Sequence, residues 1–172
     1  MGMERRIALL ILLLLVVVGA RSLLMKDAVP VFQTEGGPAA AVYFASSTHV
    51  MLEPEFYWGD PSLQDLAHIL VKGPKSRDLL AVLPPETSIL AVYQRDNVVY
   101  VDFSRHLVVN HPGGSSGELV TVYGIVNTFA SLTGVEKVQI LVEGRRLESL
   151  AGHLYIGEPL QPDYSLAGAL LI

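Results

Sequence analysis

The spacing of apolar residues changes several times between residues 40 and 160, and each change marks a new type of element. Two segments, LQDLAHILVK and LVTVYGIVNTFASL, repeat apolar residues every three or four positions, as amphipathic helices do. Six other segments are continuously apolar or alternate, which is typical of strands. The predicted order is β-β-α-β-β-α-β-β. We therefore predict an α+β fold in which two helices pack on one face of a mixed sheet.

Turn residues indicate how the predicted strands pair. The last four strands are predicted to form two hairpins, one turning at Asp96-Asn97 and the other at Glu143-Gly144, because Asp, Asn and Gly tolerate the positive φ of tight turns. Pro54 lies in the second strand. Proline cannot donate to a central ladder, so this strand is expected at an edge.

The two predicted helices carry start signals. Asp60 can cap the first helix, and Pro61 suits its first turn. In the second helix, Ser115 is followed three residues later by Glu118, which fits a capping box. In that motif the Ser115 hydroxyl accepts from the Glu118 N–H, while the Glu118 side chain accepts from the Ser115 N–H. The capping box predicts that the helix begins beside Ser115.

The same stretch also fits the G-x-S-x-G pattern of a hydrolase nucleophile elbow, from Gly113 to Gly117. A nucleophile elbow needs a strand directly before it, and an acid and then a histidine after it. Here Pro112 precedes the glycines, and the only later histidine is His153. The sequence favours the helix cap, with an exported serine hydrolase using Ser115 as the alternative.

Other polar groups do not combine into a predicted catalytic or metal site. Asp102, Ser104 and His106 are close in sequence but lie at a predicted strand end, where polar side chains commonly meet solvent. The five histidines lack the spacing of metal ligands. No phosphate loop or dinucleotide fingerprint is present in the sequence. We therefore predict no catalytic residue, no metal site and no cofactor, and hence that the protein is not an enzyme.

The apolar run IALLILLLLVVVGA, residues 7–20, follows Arg5 and Arg6. Its length matches a signal-peptide core, although apolar residues continue beyond it, as in a retained anchor. We predict a signal peptide or N-terminal membrane anchor over 1–25, a linker over 26–39, a domain over 40–160 and a C-terminal tail over 161–172. The domain is expected outside the cytoplasm, either secreted or anchored in the cytoplasmic membrane.

Charge and cysteine content narrow the classes of partner. The formal net charge is −5, and it becomes about −6 without residues 1–20, which contain two Arg and one Glu. An acidic exported domain is a poor candidate for binding nucleic acid or anionic lipid. The chain has no cysteine, which excludes disulfides, thiolate chemistry and an acylated lipoprotein anchor.

Five segments follow one another between about Ala41 and Gly157: VYFAS, LVKGP, LLAVLPPETSILAVYQRDNVVYVDFS, GSSGE and IVNTFASLTGVEKVQILVEG. In their order and spacing the chain resembles the GerMN domain family of sporulation and spore-germination proteins. Two departures are mild: Phe129 stands where the family has Leu, and Glu143 where its hairpin has Asp. The chain also differs from the founding protein, which has two such domains and a lipid anchor.

The resemblance implies a non-catalytic interaction and assembly module, similar to ring-building domains, acting in the cell envelope during sporulation or germination. The implied partners are envelope or sporulation proteins, including other copies of the chain, and the membrane through the N-terminal segment if that segment is retained. The family-motif residues are expected to be architectural: Gly73, Pro74, Pro84, Asp102, Phe103, Ser104, Ser115, Glu118, Asn127, Thr128 and Gly144.

Aromatic residues are concentrated in the first two predicted strands: Tyr43, Phe44, Phe56, Tyr57 and Trp58. This pattern favours packing partly in the core and partly at a sheet edge. An edge that binds a partner protein is a second interpretation. A third is a cell-wall glycan-binding module, in which exposed rings would stack on sugars.

Overall fold

The computed structural model describes residue 37 and residues 39–167. The predicted signal peptide or anchor (1–25) lies outside the described residues, as does all of the predicted linker except residues 37 and 39. Among the residues described, no helix combines the length and the apolar character needed to cross a membrane.

The elements follow one another in an α+β arrangement. In chain order they are β1 (Ala40–Ser46), β2 (Leu52–Tyr57), α1 (Leu63–Lys72), β3 (Leu79–Leu80), β4 (Ile89–Arg95), β5 (Val98–Phe103), α2 (His106–Val109), α3 (Ser115–Ala130) and β6 (Lys137–Val142), followed by a 3-10 turn at Tyr164–Leu166.

The strands form two three-stranded sheets, whereas the sequence predicted one mixed sheet. The first sheet has the order β2-β1-β3, and both of its pairs are antiparallel. The second has the order β4-β5-β6, with β4 antiparallel and β6 parallel to β5. The α+β class is confirmed. Helix α3 packs against both β1 and β6, so a helix links the two sheets.

The two predicted hairpins have different outcomes. The turn at Asp96-Asn97 joins β4 to β5, and Asp96 has φ 55°. At Glu143-Gly144 the chain turns, but a single bridge between Val142 and Arg145 replaces the predicted strand pair. The chain after Arg145 does not continue this pairing along β6. Instead, Leu160 bonds to Val138 of β6.

Pro54 lies at the outer edge of the first sheet, as expected. Pro54 is paired in register with Tyr43 of β1. The Tyr43 N–H points to the Thr128 hydroxyl, away from β2, so the Pro54 nitrogen faces the open side of β2. An N–H group at this position would therefore have pointed away from β1. Its absence removes no hydrogen bond between β1 and β2.

The start of α1 differs from the prediction that Asp60 caps it. Ser62 is the N-cap, and its hydroxyl accepts from the Asp65 N–H at 3.2 Å. The Asp65 carboxylate accepts from the Ser62 N–H at 2.9 Å, which completes a capping box. The Ser62 hydroxyl also donates to the Asp65 carboxylate at 2.6 Å. This hydrogen bond, followed by the one from the Ser62 N–H, holds the pKa of Asp65 below its usual value. Asp60 lies two residues too early to reach the first free N–H groups.

The predicted capping box at the start of α3 is wrong. The helix begins at Ser115, but its N-cap is Gly114, which has φ 79° and no side chain to accept a hydrogen bond. The Glu118 N–H donates to the Gly114 carbonyl, not to the Ser115 hydroxyl. The Glu118 side chain is fully buried and bonds to a distant loop, so it is not available to Ser115.

The core lies around α3. Its buried apolar side chains, which include Val122, Ile125 and Phe129, pack with inward-facing residues of β5 and β1. Gly124 lets this helix approach the chain at Val82, because a Cβ on Gly124 would lie 2.8 Å from Val82 Cγ1. A larger residue at position 124 would therefore collide with a packed valine.

Candidate functional site

Two hydroxyl groups form hydrogen bonds with the backbone on one side of β1. One belongs to Thr128 in α3, and the other to Ser131, the residue that follows the helix. The Thr128 hydroxyl accepts from the Tyr43 N–H at 2.9 Å and donates to the Gly124 carbonyl at 2.6 Å. Ser131 Oγ accepts from the Ala41 N–H and lies within hydrogen-bond range of the Ala41 carbonyl, both at 3.0 Å. The end of α3 thus takes the place of a neighbouring strand. Thr128 was predicted as a motif residue, whereas Ser131 was missed.

Asn127 bonds to the segment that follows the predicted domain. Its amide nitrogen donates to the Asp163 carbonyl at 2.8 Å, and its amide oxygen accepts from the Asp163 N–H at 2.9 Å. Asn127 is fully buried, so this paired contact satisfies both ends of its side chain. Tyr164 continues the contact, with its ring 5.9 Å from that of Tyr43.

Asp102, Phe103 and Gly144 meet at the turn after β6. Asp102 Oδ1 accepts from the Gly144 N–H at 2.8 Å, and the Phe103 carbonyl accepts from the Glu143 N–H at 2.9 Å. Glu143 and Gly144 have φ of 50° and 74°, which makes this a turn with two left-handed residues. Strand β5 thus holds the turn with one side chain and one carbonyl.

Three further motif residues lie where the chain changes direction: Gly73, Pro74 and Pro84. Gly73 ends α1 with φ 84°, and its N–H donates to the Ile69 carbonyl. The Pro84 carbonyl accepts from the Thr87 N–H at 3.3 Å. Pro74 follows Gly73 in the exposed loop after the helix.

Glu118 is buried and bonds to the 150–154 loop, the segment from Leu150 to Leu154. Its Oε1 accepts from the N–H groups of Leu150 at 2.8 Å and Ala151 at 2.9 Å, and its Oε2 accepts from the His153 N–H at 2.8 Å. Burial raises the pKa of Glu118, but the loop N–H groups lower it by more. The net result is a pKa below the usual value, and the carboxylate stays charged.

His111 lies near this carboxylate and is held neutral by its partners. The Thr121 hydroxyl donates its only hydrogen to the Val82 carbonyl, at 2.9 Å. Toward His111 Nε2, 3.2 Å away, it can therefore only accept, so Nε2 carries the hydrogen. His111 Nδ1 accepts from the Gly113 N–H at 3.0 Å. Burial lowers the pKa of His111, and the charge of Glu118 only partly opposes this.

Ser115 and Ser104 differ in their surroundings. Ser115 is exposed at the first position of α3. Ser104 is buried; its hydroxyl accepts from the Ser88 N–H at 3.1 Å and lies 3.4 Å from His106 Nδ1. His106 Nε2 is 3.8 Å from the exposed carboxylate of Glu86. The structure therefore places Ser104 and His106 side by side, with a long separation for a hydrogen bond. Ser115 lies apart from both.

Metal ligation has no candidate cluster within residues 37 and 39–167. No group of three or more His, Asp or Glu side chains is close enough there to share an ion. His49 Nδ1 instead contacts the hydroxyl of its neighbour Thr48, at 2.7 Å.

A surface groove of about 520 Å³ runs between α1 and β4. We call it the α1–β4 groove; its lining residues are Gln64, Ala67, His68, Val71, Ser88, Ile89, Leu90, Ala91 and Val92. The helix residues fall three or four positions apart, so a single face of α1 forms one wall. Five consecutive residues form the other wall, so strand backbone as well as side chains lines the groove.

The aromatic residues of the first sheet are partly in the core and partly exposed. Phe44 is fully buried and Tyr43 nearly so, whereas Trp58 is 68% exposed. Tyr57 lies between these extremes, and its hydroxyl donates to Glu55 Oε2 at 3.2 Å. Burial, followed by the charge and hydrogen bond of Glu55, raises the pKa of Tyr57 to about 12.

The comparison with protein families identifies the chain. The family model described as "Germane: Sporulation and spore germination" matches residues 41–148. The chain belongs to the Germane family. The Germane match takes in Glu118, Asn127 and Thr128 but stops before the 150–154 loop and Asp163. The contacts of Glu118 and Asn127 described above therefore join the matched region to residues beyond it.

Solved structures of similar fold include the tandem GerMN domains of the sporulation protein GerM from Bacillus subtilis. That structure has a TM-score of 0.57 and 18% identity, and the match covers 83% of this Germane chain and 51% of the other. The first GerMN domain of the same protein gives a TM-score of 0.56 and 17% identity, over 71% of this chain and 96% of that one. The resemblance to GerMN domains is confirmed.

A third similar structure comes from Clostridium perfringens and is described as a candidate lipoprotein. It is 26% identical, has a TM-score of 0.52, and the match covers 70% of this chain and 85% of that one. A comparison with curated proteins gives no match.

Proposed function

We propose that this Germane-family chain is a non-catalytic interaction and assembly module of the cell envelope, acting during sporulation or spore germination. The family description and the likeness to domains of a sporulation protein support the process. The likeness to a candidate lipoprotein and the apolar segment at residues 7–20 support the envelope. The proposed partners are envelope or sporulation proteins, with a second copy of the chain among them.

The observation that carries the interaction role is the α1–β4 groove. Among the strands that the structure describes, β4 lies at a sheet edge, because only β5 pairs with it. Leu90 and Tyr93 of β4 are 55% and 46% exposed, and Val71 of α1 is 45% exposed. An apolar cleft beside an open strand edge is a common docking place for protein segments.

The register of β4 indicates which backbone groups are free to bind a partner. Arg95 and Val98 flank a two-residue turn, so they form a hydrogen-bonded pair. Alternation then directs the N–H and C=O groups of Val92 and Gln94 away from β5. Val92 also lines the groove. A partner in extended conformation would meet these groups and the α1 wall of the groove together.

The proposal that the domain is not catalytic rests on the positions of its serines. Ser115 is exposed at the start of α3, and the only histidine after it, His153, contributes a backbone N–H to the Glu118 carboxylate. Ser104 is buried and already accepts a hydrogen bond from the backbone of Ser88. Neither arrangement offers an exposed nucleophile beside a base.

We also propose that the family-motif residues are architectural. Asn127 and Thr128 join α3 to other segments, while Asp102 and Gly144 fix the turn after β6. Glu118 secures a loop, and Gly73 ends a helix. The boundaries 1–25, 26–39, 40–160 and 161–172 remain predictions of the same kind.

Site-specific photo-cross-linking in sporulating cells tests the groove. A photoreactive amino acid at Leu90 should cross-link to a protein partner. The matched control carries the same residue at Val109, which is 69% exposed and is not among the residues that line the groove. Two differently tagged copies of the chain show whether the partner is the chain itself.

The same proposal predicts the effect of a charge in the groove. Leu90→Asp should abolish binding of the partner that is cross-linked from position 90, and it should impair sporulation or germination. Val109→Asp should do neither. Equal cross-linking from positions 90 and 109 would contradict the groove as a docking site. Normal sporulation and germination after deletion of the gene would contradict the process.

A further inference from the structure

We propose that two copies of the chain pair antiparallel through β4, with a two-fold axis at Tyr93. The inference rests on the function proposed above, in which the edge of β4 is a docking surface, and it names a second copy of the chain as the partner. An antiparallel edge can pair with its own copy, because each outward backbone group then meets its complement on a strand that runs the other way.

The regular part of β4 is centred on Tyr93. The register with β5 shifts just before Ala91 and is continuous from Ala91 to Arg95, and Tyr93 is the midpoint of this stretch. An axis there pairs Ala91 of one copy with Arg95 of the other. It also pairs Val92 with Gln94, and both of these residues direct their backbone groups away from β5. Each such pair can therefore exchange two hydrogen bonds, and the axis repeats the pair on its other side.

Tyr93 lies opposite its own copy in this arrangement. It is 46% exposed, and its ring stacks on that of Tyr100 in β5, with ring centres 5.2 Å apart and an angle of 5° between the ring planes. Tyr93 directs its own backbone groups to β5, so across the new edge it forms a non-hydrogen-bonded pair, the type in which side chains are closest. The two Tyr93 rings continue the stacks and cover surface that each copy alone leaves exposed.

The same axis brings Arg95 of one copy towards Asp102 of the other. Arg95 is the only charged residue of β4, and Asp102 is the only one of β5. Asp102 is paired in register with Ala91, whose small side chain leaves the path across the strand open. Because Arg95 lies opposite Ala91 of the second copy, its Cα is about 10 Å from that of Asp102, within reach of an extended arginine. Asp102 Oδ1 accepts from the Gly144 N–H, and Oδ2 is left for the guanidinium.

Other charges nearby do not decide this pairing. The turn beside Arg95 brings together one further cation and two anions: Lys137, Asp96 and Glu136. The turn beside Asp102 adds one charge of each sign: Glu143 and Arg145. The charge match is therefore specific to Arg95 and Asp102 in this register. An axis at Val92 would place Arg95 opposite Ile89 and remove the match.

Single cysteines test the axis without a background, because the chain has no cysteine of its own. In purified full chain kept in mild detergent, Tyr93→Cys should form a disulfide-linked dimer with copper phenanthroline, since the two Cα atoms would be about 4.5 Å apart. Gln94→Cys is the matched control on the same exposed strand. Its two Cα atoms would be about 9 Å apart, beyond the roughly 7 Å limit of a disulfide, so it should not cross-link.

A second variant keeps the test decisive if circular dichroism melting shows that the Tyr93→Cys chain unfolds. Ala91→Cys combined with Arg95→Cys should also give a disulfide-linked dimer, because the axis places each position opposite the other in the second copy. Within one chain these positions are four residues apart along a strand, about 13 Å, so they cannot join to each other.

A charge reversal tests the ion pair separately. In sedimentation equilibrium, Arg95→Glu should raise the dimer dissociation constant by about tenfold or more, because the axis turns two attractive pairs into two repulsive ones. Arg105→Glu reverses an exposed charge outside the strands and should leave the constant unchanged. An equal effect of the two variants would contradict the pairing of Arg95 with Asp102.

The outcomes separate self-pairing from the function proposed above. Equal cross-linking of Tyr93→Cys and Gln94→Cys would overturn the axis. If a photoreactive residue at position 90 captures another protein and Tyr93→Cys gives no dimer, self-pairing is wrong and the proposed function stands. If the dimer forms but Leu90→Asp leaves sporulation and germination normal, self-pairing is supported and the proposed function is wrong.

Discussion

The Glu118 carboxylate lies 2.8 Å from the Leu150 backbone nitrogen, although 32 positions separate the two residues in sequence. Three N–H groups of the 150–154 loop point to this one side chain. A charged group without exposure is tolerated only where such donors replace its water. Glu118 is thus the link between α3 and a loop that follows β6.

Replacing Glu118 by Gln should destabilise the fold by about 2–4 kcal/mol, because an amide has one acceptor oxygen and would turn its NH2 group towards loop donors. Urea unfolding measures the loss, and hydrogen exchange should show faster exchange at Leu150, Ala151 and His153. Glu136→Gln is the exposed control. Equal stability of the two variants would show that the loop does not need the carboxylate.

Stability should fall in two stages on acidification. Because folding lowers the pKa of His111 from 6.5, the unfolded chain binds a proton at this residue more readily than the folded chain does. The stability that neutral His111 contributes is therefore lost as pH falls below about 6.5. Glu118 has a pKa lowered from 4.5; its contribution is complete above about 4.5 and is lost as pH falls through the lower folded value.

Thermal melting between pH 7.5 and 3.5 measures both stages. In a His111→Gln chain the upper stage should disappear and the lower one remain. In a Glu118→Gln chain the lower stage should shrink. A wild-type melting temperature that rises as pH falls from 7 to 5 would contradict this assignment.

Thr128→Val should lower stability by about 1–3 kcal/mol, because the change keeps the shape but leaves the buried Tyr43 N–H without its acceptor. Thr128→Ser keeps the hydroxyl and should cost less. Hydrogen exchange of the Tyr43 amide gives a local readout. Unchanged protection of that amide in Thr128→Val would mean that another group satisfies it.

Gly124→Ala should also be destabilising, by about 1–2 kcal/mol, even though alanine is the better helix former by roughly 1 kcal/mol. The added Cβ would lie 2.8 Å from Val82 Cγ1, and overpacking of this kind outweighs helix propensity. Combining the change with Val82→Ala should recover part of the loss relative to the sum of the single variants. Strict additivity in this double-mutant cycle would contradict a direct collision.

Features set by neighbouring residues were predictable from the sequence. The periods of α1 and α3 and the turn at Asp96-Asn97 depend on side chains only a few positions apart. The cap of α1 could also have been found, since Ser62 and Asp65 have the capping-box spacing that was instead assigned to Ser115.

Contacts between distant segments were not predictable in the same way. The spacing of Ser115 and Glu118 fits a capping box, yet burial against the 150–154 loop directs Glu118 elsewhere. Similarly, no local pattern shows that Thr128 and Ser131 would satisfy β1, or that Asn127 would bind Asp163. These partners are 32 to 90 positions away in sequence, and only the folded chain brings them together.

Because of Pro54, the open edge of β2 is a poorer site for pairing with an added strand than the edge formed by β4. At the open side of β2 it removes a donor that an incoming strand would need, whereas β4 keeps its donors. Copies joined through β4 alone would stop at pairs, because each pairing consumes the competent edge of both partners. Any larger array built from this chain must therefore contain a second, chemically different contact.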